Sequence, residues 1–324
     1  MNKSRICFQN VFIMRWLCVL LVGTITWMPD VSSASDRVRE HDSAHRISAL
    51  RPKRMVGGSL NASVPWQAMV YLSENILEGG FAGGALIAER WVLTAGRNLF
   101  VRKSRNHTRG QEPLIPKVYL GISKLSDANA SSEVAVEKVF LHPGFQNTSD
   151  WDNDLALIKL KEPVRFNQYI MPIPLPESGD TQAESEGERG VIAGWGWGRL
   201  FTPAPKLKFL ALPVQPCKGN YTAKVLASTP NVSDRQFCTG PSRYQENVCF
   251  GDAGGALVFL KPNTSAVYAA GILSFDKACF VEEFAVYTKV SAYLPWIHSV
   301  MRGDSQGFPE RRASIISHMF SQQQ

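Results

Sequence analysis

The chain has 324 residues, 44% of them hydrophobic and 19% charged, with a formal net charge of +7. That length can bury a real core. The charge is mild and spread out, which speaks against one large basic surface for nucleic acid. No stretch beyond the N-terminal region is long and apolar enough to span a bilayer.

Lys3, Arg5 and Arg15 flank the start of an apolar run, Trp16 to Met28, and the small residues Ser32-Ser33-Ala34 follow. A basic segment, a short apolar run and a small-residue site in that order predict a secretory signal peptide over 1–34. The run is about 13 residues, short of the roughly 20 that a membrane span needs. A start at Met14 would leave a more compact signal. Loss of Lys3, Arg5, Arg15 and Asp30 with the signal lowers the net charge from +7 to about +5.

Residues 35–54 are polar and lack apolar periodicity, so they read as a short propeptide or linker. His41 and His45 lie four apart, but no third ligand is near, and neither a metal nor a cofactor is expected. Arg51-Pro-Lys-Arg54 precedes Met55-Val-Gly-Gly58 and marks Arg54–Met55 as a processing site. A second basic cluster, Arg102-Lys-Ser-Arg105, reads as a solvated loop.

From 65 to 300 the pattern is short apolar or alternating runs between turn residues. Trp66 to Tyr71, Gly84 to Ile87, Trp91 to Thr94, Leu155 to Leu160, Gly190 to Ala193 and Val267 to Ser274 all read as strands. Many short strands in a chain with 25 Gly and 19 Pro predict an all-β barrel or sandwich. Ser291 to Met301 reads as a helix, with Tyr293, Trp296, Ile297 and Val300 at three- and four-residue spacing. Residues 303–324 are a polar tail, expected to be disordered.

Sequons occur at Asn61, Asn106, Asn129, Asn147, Asn220, Asn231 and Asn263, each with a non-proline middle residue. So many sequons behind a signal peptide predict a glycosylated extracellular surface. Cys7 and Cys18 leave with the signal, and Cys217, Cys238, Cys249 and Cys279 remain. An even number in a secreted chain implies disulfides, and the sequence by itself leaves all three pairings open.

Composition and pattern reach no further than a secreted all-β protein. A series of motifs goes further: Arg54-Met-Val-Gly-Gly58, Pro65-Trp66, Gly83-Gly84, Trp91-Val-Leu-Thr-Ala95, Asp152-Asn-Asp-Leu155, Gly194-Trp-Gly196, Gly251-Asp-Ala-Gly-Gly255, Gly271-Ile-Leu-Ser274 and Val286-Tyr-Thr-Lys-Val290. In this order they resemble the chymotrypsin-like serine proteases over residues 55–302. The resemblance implies two six-stranded antiparallel β-barrels, a cleft between them and a C-terminal helix. It also implies that a new amino terminus freed at Arg54 would pair with Asp252.

An active member needs a Ser nucleophile, a His base and a buried Asp that holds the imidazole. Here Arg97 stands at the His position and Ala253 at the Ser position; only Asp154 matches. A guanidinium cannot act as a general base and a methyl group cannot attack a carbonyl. Losing both groups costs about 10⁶ in rate in a comparable triad, so no proteolysis is expected. Asn247 replaces the pocket Asp of a trypsin-like enzyme. Ser274-Phe275-Asp276 replaces a Ser-Trp-Gly that lines the peptide-binding edge. The family's cysteine pairs at Ala82/Asn98 and at Gly190/Phe259 are absent as whole pairs. The resemblance then pairs the survivors as Cys217–Cys238 and Cys249–Cys279.

Within the superfamily, Thr94-Ala-Gly-Arg-Asn-Leu-Phe100, Arg243-Tyr-Gln-Glu-Asn-Val-Cys-Phe-Gly-Asp-Ala253 and Ser274-Phe-Asp-Lys277 resemble the haptoglobin family, whose members are catalytically dead. Residues 35–54 are too short for the complement-control module of the mammalian members, and Pro174 replaces their inter-chain Cys, so the pattern is similar to the shorter fish form. The resemblance implies a secreted plasma protein that binds the haemoglobin αβ dimer, limits oxidative damage and passes its cargo to a clearance receptor. No membrane or nucleic-acid partner is expected. The loops around Tyr244 and Phe275 are the expected globin contacts. The alternative is an azurocidin-like protein that binds heparin or microbial surfaces, which predicts clustered basic residues and retained disulfides.

Overall fold

A strand whose two faces are both buried has no need to alternate, and several strands of this chain are of that kind. In the computed structural model, which describes residues 64–72, 80–100, 113–145, 151–177, 184–198, 202–217, 232–261, 266–275, 279, 284–303 and 308–309, seven strands form the first half of the protein. They are β1 (Gln67–Tyr71), β2 (Phe81–Ala88), β3 (Trp91–Thr94), β4 (Lys117–Leu120), β5 (Glu133–Val134), β6 (Val136–Leu141) and β7 (Ala156–Leu160). The second half holds β8 (Arg189–Gly194), β9 (Lys208–Gln215), β10 (Gln236–Thr239), β11 (Ala256–Leu260), β12 (Val267–Phe275) and β13 (Ala285–Lys289). Helix α1 (Leu294–Arg302) and the short strand β14 (Phe308–Pro309) follow.

The second set closes into a six-stranded barrel in the order β10-β13-β12-β11-β8-β9. The first set reads as an eight-stranded sheet, β14-β6-β7-β3-β2-β1-β4-β5. Its two halves meet because β5 and β6 are separated by Ala135 alone. Counting β5 and β6 as one bent strand, and setting β14 aside, gives the expected six. β14 lies in the segment expected to be a disordered tail, and it pairs with Lys138 and Val139 of β6.

Each barrel has its own interior. Ala68, Val70, Leu86, Val92, Val118, Val139 and Ile158 fill the first. Leu212, Val214, Phe237, Leu257, Tyr268 and Tyr287 fill the second. A third cluster joins them: Ala85, Ile87, Trp91, Leu93 and Leu157 from one barrel meet Ala256, Val258, Ala269 and Ile272 from the other. Neighbouring residues therefore divide between clusters, Leu86 inward and Ala85 and Ile87 outward, which is why these strands are apolar throughout. Each fully buried Val, Leu, Ile or Phe contributes about 1.5–3 kcal/mol.

Helix α1 seals the same junction with Ile297 and Val300, both essentially inaccessible to solvent, while the preceding turn supplies Tyr293. Pro295 sits in its first turn, where a missing N–H costs nothing. Gly303 ends it in the left-handed conformation (φ 91°), with its N–H on the Val300 carbonyl at 3.0 Å. Among the described residues no helix is long and apolar enough to cross a membrane. The signal segment, the Arg54–Met55 site and every sequon except Asn129 lie outside the described residues. Asn129 is exposed, and its side-chain carbonyl accepts from the Ser131 hydroxyl at 2.6 Å and the Ser131 N–H at 2.9 Å.

Candidate functional site

Asp154 is wholly buried just ahead of β7. Buried carboxylates need hydrogen-bond donors, and this one has them. Its Oδ1 accepts the Arg97 backbone N–H at 2.6 Å, and its Oδ2 accepts the Ser274 hydroxyl at 2.6 Å. Thr288 donates to its backbone carbonyl at 3.2 Å. Asn153 sets the approach from a left-handed conformation (φ 49°) that Asn tolerates. Its amide donates to the Gly144 carbonyl at 2.9 Å and its Oδ1 accepts from the Tyr293 hydroxyl at 3.1 Å. The segment before β7 is thus tied to the neighbouring loop and to the turn leading into α1.

Arg97 lies in the 3₁₀ turn Gly96–Phe100 after β3. Its guanidinium donates to the Ser274 carbonyl and lies over the Trp151 ring, 4.9 Å from the centroid. Trp151 in turn meets Phe275 edge-on, with centroids 5.1 Å apart. The Arg97 side chain is therefore spent on the chain itself.

Ala253 is buried, in a turn shaped by Gly251 (φ 96°) and Gly254 (φ 87°). Its carbonyl accepts from the Gly83 N–H at 2.8 Å and from the Asn98 amide at 3.0 Å. Asn98 also donates to Thr94 Oγ1 at 3.3 Å. At the other missing cysteine pair, a Cβ placed on Gly190 would lie 2.7 Å from the Phe259 ring.

Asp252 is held by the Gly196 N–H at 2.8 Å on Oδ1 and the Cys249 N–H at 3.0 Å on Oδ2. Cβ atoms on Gly194 or Gly196 would come within 2.0 and 2.2 Å of that carboxylate, which accounts for both glycines of Gly194-Trp-Gly196. A cavity of about 30 Å³ opens beside it, lined by Asn247, Trp197, Lys208 and Asp252 among others. The disulfide Cys249–Cys279 anchors this turn, and Cys217–Cys238 links β10 to the segment after β9.

Of the two expected contact residues, Tyr244 is 48% exposed, in a turn where the Arg243 guanidinium stacks on its ring at 4.6 Å. Phe275, by contrast, is buried. Its ring is 4% exposed and packs with Phe284 and Val286, because the aromatic contact with Trp151 folds it inward. Phe250, 41% exposed and edge-on to Trp197 at 5.7 Å, is the exposed aromatic on the nucleophile loop.

Among the described residues, no cluster of three or more His, Cys, Asp or Glu could hold a metal. His142 sits between the Tyr293 and Trp296 rings at 5.1 Å each and accepts the Gly144 N–H on Nδ1 at 3.1 Å. Burial, helped by the nearby Arg235 charge and opposed by Asp152, lowers its pKa to about 4. A neutral imidazole lodged in this way serves packing.

The structure thus brings Arg97 onto Asp154 and links Ala253 to the same 3₁₀ turn through Asn98, with neither a hydroxyl at 253 nor a proton acceptor at 97. Reading the sequence missed Trp151, Asn153 and Asn98. Asn98 carried a signal as the polar residue where the resemblance implies a cysteine, and Asn153 as part of the Asp152-Asn-Asp-Leu155 motif.

A trypsin family model matches residues 56–297. Haptoglobin of Oryctolagus cuniculus is 36% identical over 264 residues, covering 77% of this chain and 70% of that protein. Haptoglobin of Bos taurus is also 36% identical over 264 residues, 77% of this chain but 61% of the longer relative. A haptoglobin-related protein of Pan troglodytes is 35% identical, again over 77% of this chain and 70% of the relative.

Proposed function

Because the chain belongs to the trypsin family, as a haptoglobin-like serine protease homologue, we propose that it captures haemoglobin rather than cutting peptides. In this reading it is a secreted plasma glycoprotein. It binds free haemoglobin αβ dimers, restrains their oxidative chemistry and presents them to a clearance receptor, as an acute-phase protein does. The reading is carried by Arg97. A residue that cannot accept a proton stands where the base would be, and its side chain is committed to Ser274 and Trp151. With Ala253 at the nucleophile position, hydrolysis has no first step.

What remains is surface. Tyr244 is exposed on a turn held by the Ser242 N–H to Glu246 carbonyl bond at 2.7 Å, and Phe250 is exposed next to Cys249 of the Cys249–Cys279 bond. Rigid aromatic side chains are common anchors of protein interfaces. The deciding experiment is size-exclusion chromatography of the secreted protein with purified haemoglobin at physiological salt. A co-eluting complex supports the reading. Retention on heparin with no globin complex overturns it in favour of a basic-patch binder. Covalent labelling by a fluorophosphonate probe at the 249–255 loop would overturn the loss of chemistry.

A further inference from the structure

We infer that Arg97 seals a strand-binding edge of the cleft, so that the chain occupies with its own side chain the place an extended peptide would take. β12 outlasts its neighbour β11, which starts at Ala256, opposite Ile272. Gly254 and Gly255 complete that side: the Gly254 N–H donates to the Leu273 carbonyl at 2.7 Å, and the Leu273 N–H to the Gly255 carbonyl at 3.0 Å. On the other side the register with β13 jumps from Leu273↔Tyr287 to Phe275↔Val286, which skips Ser274. Ser274 is therefore the extra residue of a bulge, and such residues fall out of the ladder.

Ser274 is wholly buried, and a buried carbonyl must find a donor. The Arg97 guanidinium supplies it. An incoming extended segment would add to the sheet by donating its own N–H there, as strand-adding ligands do. To do so it must displace a charge-assisted bond, which is stronger than the neutral bond that would replace it. It must also pull the guanidinium off Trp151, whose ring roofs it at 4.9 Å. Two anchors resist this movement: the Arg97 backbone is fixed by Asp154 at 2.6 Å, and Trp151 is braced against Phe275 at 5.1 Å. The class of ligand excluded is an extended peptide bound through its main chain. The seal is independent of what the outer surface binds.

The test uses the full secreted protein and an immobilised protein inhibitor of chymotrypsin-like proteases that presents an extended binding loop. Wild type should show no saturable binding. Arg97→Ala should bind saturably, at least about tenfold tighter than the weakest affinity the assay can detect. Arg97→His, which keeps a polar side chain but is too short to bond the Ser274 carbonyl and reach Trp151 together, should follow it. Trp151→Ala, which removes the roof and leaves the 3₁₀ turn intact, should bind less tightly than Arg97→Ala but above wild type. Folded Arg97 variants that bind no better than wild type overturn the inference, and so does a wild type that binds equally well. Wild type also gives a readout that needs no variant. Phenylglyoxal should modify Arg97 more slowly than the exposed Arg165, and equal rates would overturn the seal.

Discussion

At the two places where the family resemblance implies a cysteine pair, the structure holds opposite chemistry. Beside the cleft, Asn98 reaches the Ala253 carbonyl at 3.0 Å and Thr94 Oγ1 at 3.3 Å, a polar clip from the first barrel to the turn of the second. In the second barrel, Phe259 lays its ring against Gly190, on the face that also holds Leu257. The surroundings decide which chemistry is possible. At the cleft, a buried backbone carbonyl already demands donors, so an amide is useful there. Inside the barrel the atoms that face Gly190 belong to Leu257 and Phe259, so volume is what is needed. Each place thus holds whatever its environment rewards, and the two contacts differ in strength.

Phe259→Ala gives the largest expected loss. It removes a ring that is 4% exposed and leaves a cavity against a glycine that cannot fill it. The cost should be about 3–5 kcal/mol in denaturant unfolding. A loss below that of Asn98→Ala would break the comparison. Gly190→Ala tests the same contact from the other side. Its new methyl meets Leu257 and Phe259 at 2.7 Å, and overpacking should cost about 1–3 kcal/mol. Asn98→Ala should cost about 1–2 kcal/mol, near the low end for a buried hydrogen bond, because the Ala253 carbonyl keeps its Gly83 donor.

Neither contact titrates, so acid sensitivity should originate elsewhere, at His142. Its folded pKa, about 4, lies below the ordinary 6.5. Between those values the unfolded chain binds the proton more readily, so stability is complete above about pH 6.5 and declines as pH falls towards 4. His142→Gln should flatten that slope in unfolding curves taken at several pH values. An unchanged slope would assign the acid sensitivity to another group.

The family motifs made the barrels legible because several of them are backbone requirements. Gly194 and Gly196 leave room for the Asp252 carboxylate, and Gly251 and Gly254 take conformations that a side chain would strain. Arg97 and Ala253 were singled out for the same reason, as positions that the family motifs fix. What Arg97 does with its side chain was not legible. Its partners are Ser274 and Trp151, and Ser274 lies 177 residues away. The burial of Phe275 was not legible because a sequence does not tell which face of a bulged strand turns inward. The β14 pairing escaped notice because a two-residue strand carries no period.

Ala135 sets where the first barrel is weakest. The hydrogen-bonded ladder runs from β4 to β5 and from β6 to β7, and at the bend between those pairs the Ala135 carbonyl accepts from the Lys161 N–H at 2.8 Å. A seam one residue wide should open before the rest. The backbone amides of Glu133 and Val134 should therefore trade their protons for deuterons ahead of those in β7, which has a paired strand on either side.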